Sequence, residues 1–168
     1  MQRVAFKTPN VDSVLAIDAA TRTGWAMLDT DGSIMSGHES FKADSHGRTL
    51  RMYSAWLAET VNELRPALVA YEVPQIGLAN RVSGNASRLL LGGFYGVTMS
   101  FLYALGLACL ELSPADVKKA VTGKGNAGKS EVMAAVRNLG HDVDNADQAD
   151  AVAILLTSIR QMGGRRAA

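Results

Sequence analysis

Three apolar segments, far apart in this chain, each deliver acidic residues. Val14, Leu15, Ala16 and Ile17 run into Asp18, and Ala67, Leu68, Val69, Ala70 and Tyr71 run into Glu72. Asp147 and Asp150 stand just before the run Ala151, Val152, Ala153, Ile154, Leu155, Leu156. Buried carboxylates are costly unless they are paired or bind metal. A fold that gathers these ends makes a cluster that repels itself and calls for hard divalent cations.

Each acid also has a plainer explanation. Aspartate is common where a strand ends, so Asp18 alone reads equally well as a turn residue. Glu72 is harder to explain that way, because it closes an apolar strand before Pro74 with no turn or cap to serve. Asp147 and Asp150 would suit the first turns of a helix, where the dipole favours negative charge. Asp144 or Asn145 already supplies a cap there, and the i, i+3 spacing puts the two aspartates on one face. The helix behind them is apolar nearly all round, so its mouth faces strand ends rather than bulk water. Oxygen donors without histidine or cysteine suit magnesium or manganese rather than zinc. Two such ions about 4 Å apart activate water and stabilise the leaving oxygen of a phosphodiester. His38, His46 and His141 show no ligand spacing and read as surface residues.

The rest of the chain supplies the scaffold. Residues 13–20, 24–29 and 33–40 read as strands, with Asp31-Gly32 as a hairpin turn. Leu50, Tyr53, Leu57, Val61 and Leu64 recur at helical spacing over 47–64, and Pro66 ends that helix. A fourth strand spans 67–73, a polar loop 74–85, a long helix about 86–105, and a fifth strand 107–112. Ser113-Pro114 caps and opens a further helix. A helix over 130–139 stops at Gly140, and the last one, 145–162, is closed by Gly163-Gly164. The expectation is one α/β domain over 1–168, loose at about 1–12 and 163–168. Its mixed five-stranded sheet carries helices on both faces, with Asp18 beside Glu72 on neighbouring strands.

Composition excludes little. The net charge of +1 neither demands nor forbids nucleic acid, but Lys118, Lys119, Lys124 and Lys129 gather in one stretch. The single cysteine, Cys109, cannot form an internal disulfide and reads as a small buried hydrophobe. The N-terminus shows no signal-peptide pattern, and the expectation is a cytoplasmic protein. Residues 89–110 carry no charge and reach bilayer length, yet Gly92, Gly93, Gly96 and Gly106 interrupt them. They read as a buried helix followed by a strand.

Residues 123–130, GKGNAGKS, fit the phosphate-loop pattern, but no strand precedes them. Their glycines and lysines suit a nucleic-acid backbone better than a nucleotide, and a solvated loop also accounts for Lys124.

In this order and spacing, the acids and basic segment resemble the RuvC-type Holliday-junction resolvases of the RNase H-like superfamily. The resemblance runs from Val14 to Leu156. Asp18 before a glycine-containing turn with Gly24, Glu72 closing the fourth strand, and Asp147 to Ile154 follow the family pattern. So do Pro114, Val117, Lys118, Val121, Thr122, Gly123, Gly125, Ala127 and Lys129. The resemblance implies a magnesium-dependent endonuclease for four-way DNA junctions that leaves a 5′-phosphate. Two ions, for which manganese could substitute, would bind Asp18, Glu72, Asp147 and Asp150. Lys118 and Lys129 would lie near the scissile phosphate, with Arg81, Arg88 and Lys124 as further backbone contacts. It implies a homodimer through the long apolar helix, and a branch-migration helicase as a partner. The family often has an aromatic wedge shortly after its second carboxylate. Here residues 73–78 read VPQIGL, leaving Ile76 or Leu78 for that role, which points to relaxed activity on forks and flaps.

Two other classes compete. An actin-like or sugar-kinase-like phosphotransferase shares the sheet pattern, and Asp18 to Gly24 with Thr21 loosely fits its phosphate turn. A catalytically silent junction-binding module would keep the basic segment without needing the acids. Magnesium-dependent nicking of a synthetic junction separates all three.

Overall fold

The structure, a computed structural model, describes residues 13–74 and 84–166. Its sheet is built from β1 (Val14–Asp18), β2 (Arg22–Leu28), β3 (Ile34–Ser40), β4 (Leu68–Glu72) and β5 (Ala108–Leu112). The helices are α1 (His46–Leu64), α2 (Asn85–Ala104), α3 (Pro114–Thr122), α4 (Lys129–Asn138) and α5 (Ala146–Arg166). Across the sheet the order is β3-β2-β1-β4-β5. The first three strands form an antiparallel meander, while β4 runs parallel to both β1 and β5. The expected mixed sheet is therefore present.

The central strands are apolar throughout because helices cover both faces. Val14, Ala16, Ala26, Leu68 and Ala70 pack against α3, α4 and α5. Their alternates Leu15, Ile17, Met27, Val69 and Tyr71 pack against α1 and α2. On α1 the periodic residues Tyr53, Leu57 and Val61 are buried. Arg65 then turns into the left-handed region at φ 45°, and Pro66 cannot continue the helix. The α1–α2 contact buries a polar pair without loss. Thr98 donates its proton to the Phe94 carbonyl at 2.8 Å, so the Tyr53 hydroxyl donates to Thr98 Oγ1 at 2.6 Å.

The uncharged stretch at 89–110 divides as expected, with Gly106 at φ +63° between α2 and β5. Among the described residues no helix is long and apolar enough to cross a membrane. The helix is only partly covered, however. Leu89, Met99 and Tyr103 are 73%, 42% and 81% exposed, so α2 keeps an apolar outer face.

Some expectations fail. Cys109 is exposed, not buried, because β5 is the edge of the sheet and α2 leaves its outer side uncovered. The last helix does not stop at Gly163-Gly164 but runs on to Arg166. Gly163 avoids the left-handed conformation that would end it; glycine permits that turn without compelling it.

Among the described glycines, the tightest approach lies under α5. Gly24 sits in β2 directly opposite Asp18, inside the strand rather than in the turn before it. A Cβ built there would lie 1.8 Å from the Asp147 carbonyl oxygen and 3.2 Å from the Ala151 Cβ. The first turn of α5 thus rests on bare β2 backbone. Gly24→Ala is expected to destabilise the protein by about 2 kcal/mol or more, because backbone must shift. Gly47→Ala, on exposed α1 with nothing within 4 Å, is expected to be neutral or stabilising by up to about 1 kcal/mol. Urea midpoints of the two variants test this; an unchanged midpoint for Gly24→Ala contradicts the contact.

Candidate active site

Strand register and helix docking together assemble the acids. Ile17 pairs with Tyr71 across parallel β1 and β4, so Asp18 and Glu72 fall one step further, at the same end. Alternation puts both on the face of Val14, Ala16, Leu68 and Ala70, which α5 covers. The turn after Asp18 is fixed by buried Thr23, whose hydroxyl donates to the Ala20 carbonyl at 2.7 Å.

The start of α5 is fixed just as firmly. Asn145 Oδ1 accepts from the Gln148 amide at 3.0 Å, so Asn145 is the cap and neither aspartate is needed for that role. Gln148 closes the cap from the other side, accepting from the Asp144 amide at 2.8 Å. Its Nε2 donates to Ser36 Oγ at 2.9 Å and to the Ser36 carbonyl at 3.1 Å, which ties the helix to β3. Asp147 and Asp150 then face the strand ends.

The electrostatics are those of a pocket short of positive charge. Burial, then the charge of Asp150, push the Asp18 carboxyl up to about 7. Burial, then Asp18 and Asp150, push Glu72 up to about 8. Asp150 is also raised, chiefly by burial, although Lys129 opposes this. Burial acts against the charge of Lys129, but Asp150, Asp147 and Asp18 outweigh it and raise the ammonium above its ordinary value.

Two cations already contact the acids. Lys129 Nζ lies 3.6 Å from Asp147 Oδ1 and 3.5 Å from Asp150 Oδ2. Arg22 Nε lies 3.0 Å from Asp147 Oδ2. With these side chains in place, no three acids, histidines or cysteines among the described residues close around a single point. The donor set nonetheless fits hard divalent ions. It is all carboxylate, it comes from three elements, and burial together with the charge it gathers keeps three of its members reluctant to ionise.

The other expected residues divide. Lys118 faces the acids, and its charge lowers both Glu72 and Asp150. Lys124 pairs instead with Glu131 at 3.6 Å on the outer side of α4. Helix α3 occupies the place before Gly123 where a phosphate loop needs a strand. Arg88 is held at the start of α2 by Asn85 Oδ1 at 2.6 Å. Arg81, Ile76 and Leu78 lie outside the described residues. On the α2 side, a cavity of about 200 Å³ opens next to Asp18 and Glu72, walled by Tyr71, Leu91, Tyr95 and Pro114.

Sequence reasoning missed Arg22 and Gln148. Their partners are Asp147 and Ser36, each more than a hundred positions away, and nothing local marks either residue.

This sheet order, with carboxylates at the ends of β1 and β4 and on the first turns of α5, defines an RNase H-like nuclease fold. A family profile described as crossover junction endodeoxyribonuclease RuvC matches residues 14–158. The RuvC of Rickettsia prowazekii (strain Madrid E) is 30% identical over 155 residues, covering 87% of this chain and 96% of that protein. The RuvC of Chromohalobacter salexigens is 34% identical over 159 residues, covering 90% and 83%. Thermus thermophilus RuvC, solved in complex with a Holliday junction substrate, superposes with a TM-score of 0.70 at 25% identity, covering 90% and 96%. The yeast mitochondrial Holliday junction resolvase Ydc2 shares the fold at a TM-score of 0.55 and 14% identity. The chain belongs to the RuvC family of crossover junction endodeoxyribonucleases.

The raised carboxyls have a thermodynamic consequence. Asp18 and Glu72 bind protons more tightly folded than unfolded, so each adds stability at low pH. That stability is complete below the ordinary values of 3.8 and 4.5 and is lost as pH rises through about 7 and about 8. The metal-free protein is therefore expected to melt at a lower temperature near pH 8 than near pH 6, and millimolar Mg²⁺ should recover the difference. Asp18→Asn should flatten the slope. Calorimetric scans across this range check it, and a rising melting temperature would contradict it.

Proposed function

We propose that this chain resolves four-way DNA junctions as a homodimer, hydrolysing one phosphodiester in each of two strands of like polarity and leaving 5′-phosphates. The observation that carries this reading is the under-neutralised pocket, in which four acids meet and an ammonium lies between two of them. Membership of a junction-endonuclease family gives that pocket its substrate class. Two divalent cations, Mg²⁺ or Mn²⁺ in its place, would be held by Asp18, Glu72, Asp147 and Asp150. Bound there, they would supply an activated water and an acid for the leaving oxygen.

The protein side chains have distinct tasks. The carboxylates orient and hold; Lys118 and Lys129 offset phosphate charge at the pocket mouth. Arg81, Arg88 and Lys124 contact the DNA backbone further out, and Ile76 or Leu78 supplies an apolar wedge. The outer face of α2 forms the twofold contact, because isologous pairing of one patch positions two equal sites on one junction. A branch-migration helicase would be the partner, and the cytoplasm the compartment.

Asp18→Asn is expected to cut nicking of a synthetic junction by roughly a thousandfold or more while leaving binding intact. Gel assays of both properties test this, and wild-type nicking by the variant contradicts the assignment. Tyr103→Glu, which puts a charge on the exposed α2 face, is expected to give monomers in light scattering and to abolish paired nicking. A variant that remains dimeric would place the twofold contact elsewhere.

A further inference from the structure

Lys129 and Arg22 both contact Asp147, but they are not equivalent. Arg22 Nε meets Oδ2 at 3.0 Å, within ordinary ion-pair hydrogen-bond range. Lys129 Nζ stands 3.6 Å from Oδ1 and 3.5 Å from Asp150 Oδ2, beyond the range of a charge-assisted hydrogen bond. Its ammonium is thus held by the field of two carboxylates rather than by close donor geometry.

Exposure differs too. The Lys129 side chain is 67% exposed, whereas those of Asp147 and Asp150 are 16% and 21% exposed. The acids ride on a helix start pinned by Gln148 to Ser36 and by backbone contact at Gly24. Lys129 is the first residue of α4 and reaches the pocket on a flexible four-carbon stem. If anything yields when a cation enters between these two acids, it is the lysine.

We infer that Lys129 is the resident counter-ion of the Asp147–Asp150 pair, and that a divalent cation binds there only by displacing it, which frees the ammonium for the substrate phosphate. The inference rests on the metal reading proposed above. It gives Lys129 two successive roles. Without metal it restrains the repulsion of the acids; with metal it is released at the pocket mouth. Arg22 stays on the other oxygen of Asp147 throughout and keeps that carboxylate oriented.

Mn²⁺ binding without DNA, followed by electron paramagnetic resonance of the free ion, separates this from a simple phosphate contact. Lys129→Met is expected to bind Mn²⁺ more tightly than wild type, on the order of tenfold. Lys129→Arg, which keeps a permanent charge, should stay near wild type. Lys119→Met removes the same charge from an exposed position on α3 and should also stay near wild type. A Lys129→Met variant no tighter than wild type, or a Lys119→Met variant tightened equally, overturns the counter-ion role while leaving the metal site standing. Absence of Mn²⁺ binding in both wild type and Lys129→Met overturns the metal reading itself and this inference with it.

Discussion

The first turn of α5 lies on the backbone of β2, and Gly24 is the reason it can. Any side chain at that position would meet the Asp147 carbonyl group itself, not a movable side-chain end. The close approach brings Asp147 and Asp150 down to the sheet end where Asp18 and Glu72 emerge. Ser36 on β3 holds the same helix turn through Gln148, so two strands of the meander fix one helix start. The antiparallel half of the sheet thereby positions one pair of acids. The parallel pair β1 and β4 positions the other through register.

Bringing four carboxylates together opposes folding, and the structure contains the means to tolerate it. The apolar body of α5, buried from Ala151 through Leu155, anchors the helix well away from the charges at its mouth. At the mouth, Lys129, Lys118 and Arg22 offset part of the negative charge, but burial first, and then a remainder of repulsion among the acids, still raise Asp18 and Glu72. That remainder is what a divalent ion would relieve. A pocket fully neutralised by fixed side chains would be more stable and would have less affinity for metal.

Sequence patterns revealed the parts of this design that rest on local or periodic rules. Apolar runs ending in acids, the Asp31-Gly32 turn, the Ser113-Pro114 start of α3 and the periodicity of α1 each depend on neighbours in the chain. The acids could be grouped because two parallel strands end in register. What escaped depends on geometry between distant segments. The Arg22–Asp147 ion pair joins residues that no period relates. Gly24 looks like a turn glycine in sequence, and only the docking of α5 shows that it is needed inside a strand. Cys109 failed for the complementary reason. Its apolar neighbours predict burial, but the order of strands makes β5 an edge. At Gly163, local chemistry permits a stop that the helix does not use.

The two faces of the sheet are finished differently, and the difference matters for chemistry on branched DNA. Three helices, α3, α4 and α5, close one face and bring the lysines to the acids. On the other face, α1 and α2 cover the core but leave α2 with Leu89, Met99 and Tyr103 facing outward. Large apolar side chains left in the open along one helix are characteristic of a contact surface. The acids and this surface belong to opposite layers of one thin sheet, joined through β1 and β4. The twofold pairing through α2 proposed above would therefore place two acidic pockets by rigid sheet geometry rather than by flexible loops. A junction has two equivalent strands to cut, and a rigid pair of pockets matches that symmetry.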